Sequence, residues 1–169
     1  MAFTYVECPK PLANTDSVSI FLAGGITGCP DWQNDAVEYF RLLNLPITVY
    51  NPRRANFDTS DKTITEAQIT WEFEAMDASD IVLFWFPKES VCPITLYELG
   101  RCLMLQDIHE KTVFIGVHED YCRKEDILIQ TKLATVGTNT IVHFSFDALL
   151  EHVASQLKTS FRLLDSKNK

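Results

Sequence analysis

Two glutamates stand where an idle acid is not expected. Glu98 lies in "SVCPITLYELGRC", in the second turn of a helix that Pro93 would open, among Ile94, Leu96, Tyr97, Leu99 and Leu103. Glu72 lies beside Ile69, Phe73 and Met76 on another apolar helix face. Two carboxylates facing one crevice are the equipment for breaking a glycosidic bond. One attacks the anomeric carbon and the other manages a proton or holds the leaving group. A plainer alternative stays open at this point, because a glutamate three residues before Arg101 also makes a surface pair. A nucleophilic carboxylate needs to be ionised without generous hydration. The start of a helix favours the charge, whereas apolar neighbours oppose it.

The elements that would position these acids can be read from periodicity. "SVSIFLAGG", "PITVYN", "DIVLFWF", "TVFIGV" and "TIVHF" read as five strands. Between them, helical spacing covers "DWQNDAVEYFRLLNL" and the segments 63–78, 93–106, 124–133 and 146–163, with Thr63 and Glu66 matching a capping box. Continuous apolar strands alternating with helices predict a doubly wound α/β domain, a parallel five-stranded sheet with helices on both faces. The domain spans 17–163, after a loose N-terminal leader (1–16) and before a C-terminal tail (164–169).

In such a sheet, ligands bind beyond the carboxyl ends of the strands, where strand order reverses. Three loops belong there: "AGGITGCPDW", "NPRRANF" and "PKESVCPITLYELG". Gly24 and Gly25 permit positive φ and close approach of backbone to a ligand. Asp31 caps the next helix or holds a sugar hydroxyl. Arg53 and Arg54 bind an anionic group or pair with nearby acids. Trp32 reads as a core or wall residue.

Composition narrows the function classes. The chain has 169 residues, 46% hydrophobic and 22% charged, enough for a full core without staples. Its net charge of -8 argues against nucleic acid and anionic membranes as partners. No apolar run is long enough to span a membrane. The five cysteines show no CxxC spacing and the four histidines no ligand spacing, so no metal is assigned and reduced thiols in a cytoplasmic protein are expected.

"IFLAGGITG", "DWQ", "NPRR", "QITWEFEAMDASDIVLFWFP" and "ITLYELG" together resemble the nucleoside 2-deoxyribosyltransferase family, in its branch with the NPRR motif, from about Ser17 to about Phe144. The resemblance implies a flavodoxin-like fold and a homo-oligomer with shared active sites. It also implies an enzyme that moves 2-deoxyribose between nucleobases, with nucleosides and free bases as ligands and no cofactor. It carries the nucleophile onto Glu98 and the base-contacting acid onto Glu72. Two positions depart from the family pattern. Phe21 replaces a tyrosine that steadies the nucleophile, and Cys92 replaces a sugar-binding aspartate. Ser90, Thr95 or Asp31 would then share sugar recognition. Asp126 and Gln130 are the candidates for residues lent by a neighbouring subunit. Two rival readings remain: a hydrolase of nucleoside 5′-monophosphates that binds phosphate through Arg53, Arg54 or the helix start near Ser90, and a non-catalytic nucleotide-sensing module.

Overall fold

A computed structural model of the chain describes residues 3–14, 17–54, 62–109, 111–135 and 140–167. In chain order the elements are β1 (Thr4–Glu7), β2 (Val18–Gly24), α1 (Trp32–Leu42), β3 (Ile47–Asn51), α2 (Lys62–Ala78) and β4 (Ile81–Phe86). They continue with α3 (Pro93–His109), β5 (Thr112–Val117), α4 (Lys124–Ala134), β6 (Val142–His143) and α5 (Phe146–Lys167). All strand pairs are parallel, in the order β1-β3-β2-β4-β5-β6. Without β1 this is the flavodoxin-like order, and its switch point lies between β2 and β4.

The period of two along each strand divides the core into two layers. On β4, Ile81, Leu83 and Trp85 face α1 and α5 with Ile20 and Leu22 of β2. Val82, Phe84 and Phe86 face the other way with Phe21 and Ala23, against Trp71, Ala75 and Met76 of α2 and Leu99, Cys102 and Leu103 of α3. Every residue of β4 is buried, as its unbroken apolar run requires. The register pairs Gly24 with Trp85, so β2 and β4 end side by side.

Three expectations need correction. The sheet has six strands, because part of the supposed leader pairs with β3 as an edge strand. "TYVE" is only four residues with two polar side chains, too short to register as a strand from pattern alone. The same segment is tied down further on, where the Lys10 carbonyl accepts from Trp71 Nε1 at 2.7 Å and the Ala13 carbonyl from Tyr50 Oη at 3.3 Å. The C-terminal helix runs through Lys167, into the supposed tail. Thr63 is the second residue of α2 and so not its cap, and the capping position falls outside the described residues. No helix among the described residues is long and apolar enough to cross a membrane.

At the far edge of the sheet, His143 on β6 and His152 on α5 meet at 2.9 Å between Nε2 and Nδ1, with His152 edge-on to Phe114. Burial, then the neighbouring ring, holds His143 below its ordinary value of 6.5. The folded protein thus resists a proton that the unfolded chain accepts. Stability should be indifferent to this group well above pH 6.5 and fall as pH drops below it. Denaturant melts at pH 8 and pH 5.5 should show a smaller acid loss in His143→Gln than in wild type. Equal losses would refute the assignment.

Candidate active site

A cleft of about 590 Å³ opens over the carboxyl ends of β2 and β4, between α2 and α3. Phe21 and Ala23 form its floor, Gly24 and Gly25 one end, and Glu72 and Glu98 its facing walls. It therefore lies at the switch point, where three of the loops singled out from sequence converge.

α3 starts abruptly. Pro93 occupies the first helical position, where its missing N–H costs nothing, and Cys92 before it takes a left-handed φ of 49°. The Cys92 N–H donates to Ser90 Oγ at 3.3 Å, and the Cys92 carbonyl accepts from the Leu96 N–H at 3.0 Å. This start places Glu98 in the second turn, half-buried, with Thr95 beside it in the cleft. Burial raises its carboxyl to about 7, the charge of Glu72 adding to the shift and Arg101 opposing it. Of the two opposed influences, the helix start and the apolar surroundings, desolvation outweighs the dipole at this position. Near neutral pH the free protein divides between both forms.

Glu98 and Arg101 do not form the alternative surface pair. The ion pairs among the described residues are Arg41–Glu38, Arg53–Asp31, His118–Asp120 and Arg123–Asp126. The Arg101 guanidinium lies instead over the Phe73 ring, 4.1 Å from its centroid, and its Nε is buried without a hydrogen-bond partner. Arg101 lines the cleft and supplies a positive charge that sequence reading had assigned only to a surface pair.

Glu72 is half-buried too, and burial raises its carboxyl, while a hydrogen bond from Gln68 pulls it back. Gln68 Nε2 donates to Glu72 Oε1 at 2.7 Å. Gln68 was not singled out from sequence. Its signal was spacing, since glutamine four residues before an acid is a helix pair.

Gly24 and Gly25 line the cleft, but neither has a positive φ; Gly28 does, at 73°. Absence of a side chain is what both positions require. A Cβ on Gly24 would stand 2.3 Å from the Trp85 carbonyl oxygen and 2.5 Å from Trp32 Cζ2. One on Gly25 would stand 2.8 Å from Cys92 Sγ and 2.9 Å from Cys29 Sγ. Phe21, where the resemblance leads one to expect tyrosine, tilts against Trp71 at 6.4 Å and offers no hydroxyl to Glu98.

Asp31, Trp32, Arg53, Asp126 and Gln130 do not line this cleft. Asp31 caps α1, accepting from the Asn34 N–H at 3.2 Å, and meets Arg53 Nε at 3.5 Å. Arg53 is fully engaged in the loop after β2. Nη1 donates to the Pro30 carbonyl at 2.7 Å and Gln33 Oε1 at 3.1 Å, and Nη2 donates to the Cys29 carbonyl at 3.1 Å. Asp126 is exposed on α4 and pairs with Arg123 at 3.2 Å, and Gln130 is exposed beside it. Trp32 is a core residue whose Nε1 donates to the Gly25 carbonyl at 2.8 Å. No group of three or more potential ligands that could hold a metal ion occurs among the described residues.

A family model described as "Nucleoside 2-deoxyribosyltransferase like" matches residues 17–121, a stretch that holds both glutamates and all three loops. No curated protein matches the chain in sequence. Among solved structures, a conserved protein from Enterococcus faecalis V583 is similar in fold, with a TM-score of 0.55 and 20% identity over 83% of this chain and 99% of that one.

Because Arg53 holds the loop that carries Gly25 and Cys29, Arg53→Ala should lower the thermal midpoint by several degrees. Several charge-assisted hydrogen bonds disappear, each worth roughly 1.5–3 kcal/mol before the loop relaxes. The ratio of nucleoside to nucleotide binding should stay as in wild type. A variant of unchanged stability that selectively loses nucleotide would return Arg53 to the ligand.

Proposed function

The chain belongs to the nucleoside 2-deoxyribosyltransferase-like family, and from that premise we propose that it transfers 2-deoxyribose between nucleobases through an ester on Glu98. Membership ties the chain to nucleoside-related glycosyl transfer in general. The observation that carries the finer reading is the pair of half-buried carboxyls, Glu72 and Glu98, walling one cleft with Glu98 raised to about 7. Near neutral pH a substantial share of the protein therefore carries one proton on that pair, which is the stock a base exchange needs.

The steps balance on that single proton. Glu98 gives it up by way of Glu72 to a ring nitrogen of the departing base. A Glu98 oxygen attacks C1′ as the C1′–N bond breaks, leaving neutral base, ionised Glu72 and a deoxyribosyl ester. A second base then attacks C1′, the ester C–O electrons return to Glu98, and the proton of the incoming base returns to the carboxyl pair. Two inversions give retention at C1′. A 2′-hydroxyl would draw electrons from the oxocarbenium-like transition state, so deoxyribose is preferred. Apolar groups at the cleft mouth, with Phe73 57% and Tyr97 76% exposed, support a homo-oligomer in which a second copy covers the site. Asp126 of a neighbouring copy remains a candidate for completing it.

Incubation with a 2′-deoxynucleoside and a different free base, followed by chromatography, should yield the exchanged deoxynucleoside. Glu98→Gln should abolish this while leaving fold and ligand binding intact, because an amide keeps the shape but is a poor nucleophile. A tenth of wild-type turnover in that variant would remove Glu98 from the role. Free base and sugar phosphate from a nucleoside monophosphate, with no exchange, would favour a hydrolase. Binding without any product would favour a sensor.

The pH profile tests the proton count. kcat/KM should fall above pH about 7 as the pair loses its proton, and fall again in acid once both carboxyls are protonated. Glu72→Gln removes the proton relay, so the rate should drop, and in the residual activity the alkaline limb should move to lower pH because the charge that helps raise Glu98 is gone. A rate that keeps rising to pH 9 would identify the doubly ionised pair as the active form instead.

A further inference from the structure

Gln68 precedes Glu72 by one turn of α2 and is 7% exposed. Its amide has three partners of fixed character. Nε2 donates to Glu72 Oε1 and to the Pro52 carbonyl, both at 2.7 Å, and Oε1 accepts from the Cys8 thiol at 2.9 Å. Turning the amide over would set its oxygen against the Pro52 carbonyl oxygen, which has no proton to offer. The partners therefore determine the orientation, and they come from three separate segments: the turn after β1, the turn after β3, and α2 itself.

We propose that Gln68 is the positioning residue of the reaction described above. It holds Glu72 with Oε1 as a hydrogen-bond acceptor, leaving Oε2 as the oxygen that exchanges a proton with the substrate base. The inference rests on Glu72 and Glu98 acting as a pair. A donor aimed at a carboxylate favours its charged form, and the charge on Glu72 in turn raises Glu98. Gln68 thus decides which member of the pair carries the shared proton in the free protein. The other titratable or charged groups at this place are Glu98 and Arg101 on α3 and Cys8 after β1, with Glu7 and Arg54 acting on Cys8.

Carbon-13 NMR titration of the Glu72 and Glu98 carboxyls in the full chain tests this without needing turnover. Gln68→Met keeps length and volume but removes the donor. Gln68→Asn keeps an amide in the helix but draws it back by one methylene from Glu72 and its other partners. In each folded variant the Glu72 midpoint should rise and the Glu98 midpoint should fall. Transfer should drop by roughly ten- to a hundredfold, the worth of one charge-assisted hydrogen bond, and mainly in kcat. A purely structural role would move both carboxyls together or neither, and either result in a folded variant overturns the proposal. Reciprocal movement in a protein that exchanges no base would keep Gln68 in its place and reject the transferase reading. Should Gln68→Met not fold, Gln68→Asn decides by the same measurement.

Discussion

Two carboxyl groups in one partly apolar cleft repel each other, and much of the surrounding structure answers that constraint. Like charges several ångströms apart at a half-buried site cost a few kcal/mol, comparable with the net stability of many whole domains. The cleft offers one hydrogen-bond donor to Glu72, one cation within reach of Glu98, and an opening to solvent. None of these neutralises both acids, so burial keeps both carboxyls above their ordinary values. Glu98 and Arg101 are three residues apart on α3 but form no ion pair. Here the guanidinium is spent on the Phe73 ring and its Nε is left without a partner, a local penalty that a merely structural helix face would avoid.

The helices holding the acids are anchored away from the cleft. Lys111, buried before β5, donates to the carbonyls of Met76, Asp77 and Ser79 at the end of α2. A cation there satisfies the last carbonyls and complements the helix dipole. The turn after β3 is a second anchor. Asn51 Oδ1 accepts from the Arg53 N–H at 2.9 Å, Pro52 receives Gln68, and Arg53 gathers the loop after β2. Asn51, Pro52 and Arg53 therefore join the edge strand at Tyr5, the helix bearing Glu72 and the loop after β2. Their polarity, which in sequence suggested an anion site, is used for the most part inside the protein.

How much could be read beforehand follows from which interactions are local. The strands β2 to β6, the helices and the switch-point location were legible because apolar runs and helical spacing are properties of neighbouring residues. Glu98 and Glu72 were legible because an acid among apolar helix positions conflicts with its own surroundings. β1 was not, since a four-residue edge strand is specified by its partner β3 more than by its own pattern. For Asp31 and Arg53 the sequence offered two roles each, and the structure takes the cap and the ion pair. What the sequence could not supply was the carbonyl partners of Arg53, since nothing in it ranks Pro30 or Cys29 carbonyls above a ligand. Gly24 and Gly25 line the cleft without a positive φ, and the bulk that excludes a Cβ there comes from Trp85, Trp32 and the two cysteines.

The charge balance of the cleft bears on the ligand class. With one proton shared by Glu72 and Glu98, the pair carries a single negative charge, and Arg101 carries one positive charge against it. A neutral nucleoside or base enters without disturbing that balance. A 5′-phosphate would bring close to two further negative charges toward acids already raised by burial. Of the two arginines that the sequence suggests for phosphate, Arg53 is committed to loop carbonyls and Asp31, and Arg54 acts on the Cys8 thiol. Of the cleft lining, Arg101 and the start of α3 are the groups suited to receive a phosphate, against a chain of net charge -8. We propose that any preference for nucleosides over their monophosphates comes from electrostatics distributed over the site, not from one residue that excludes phosphate.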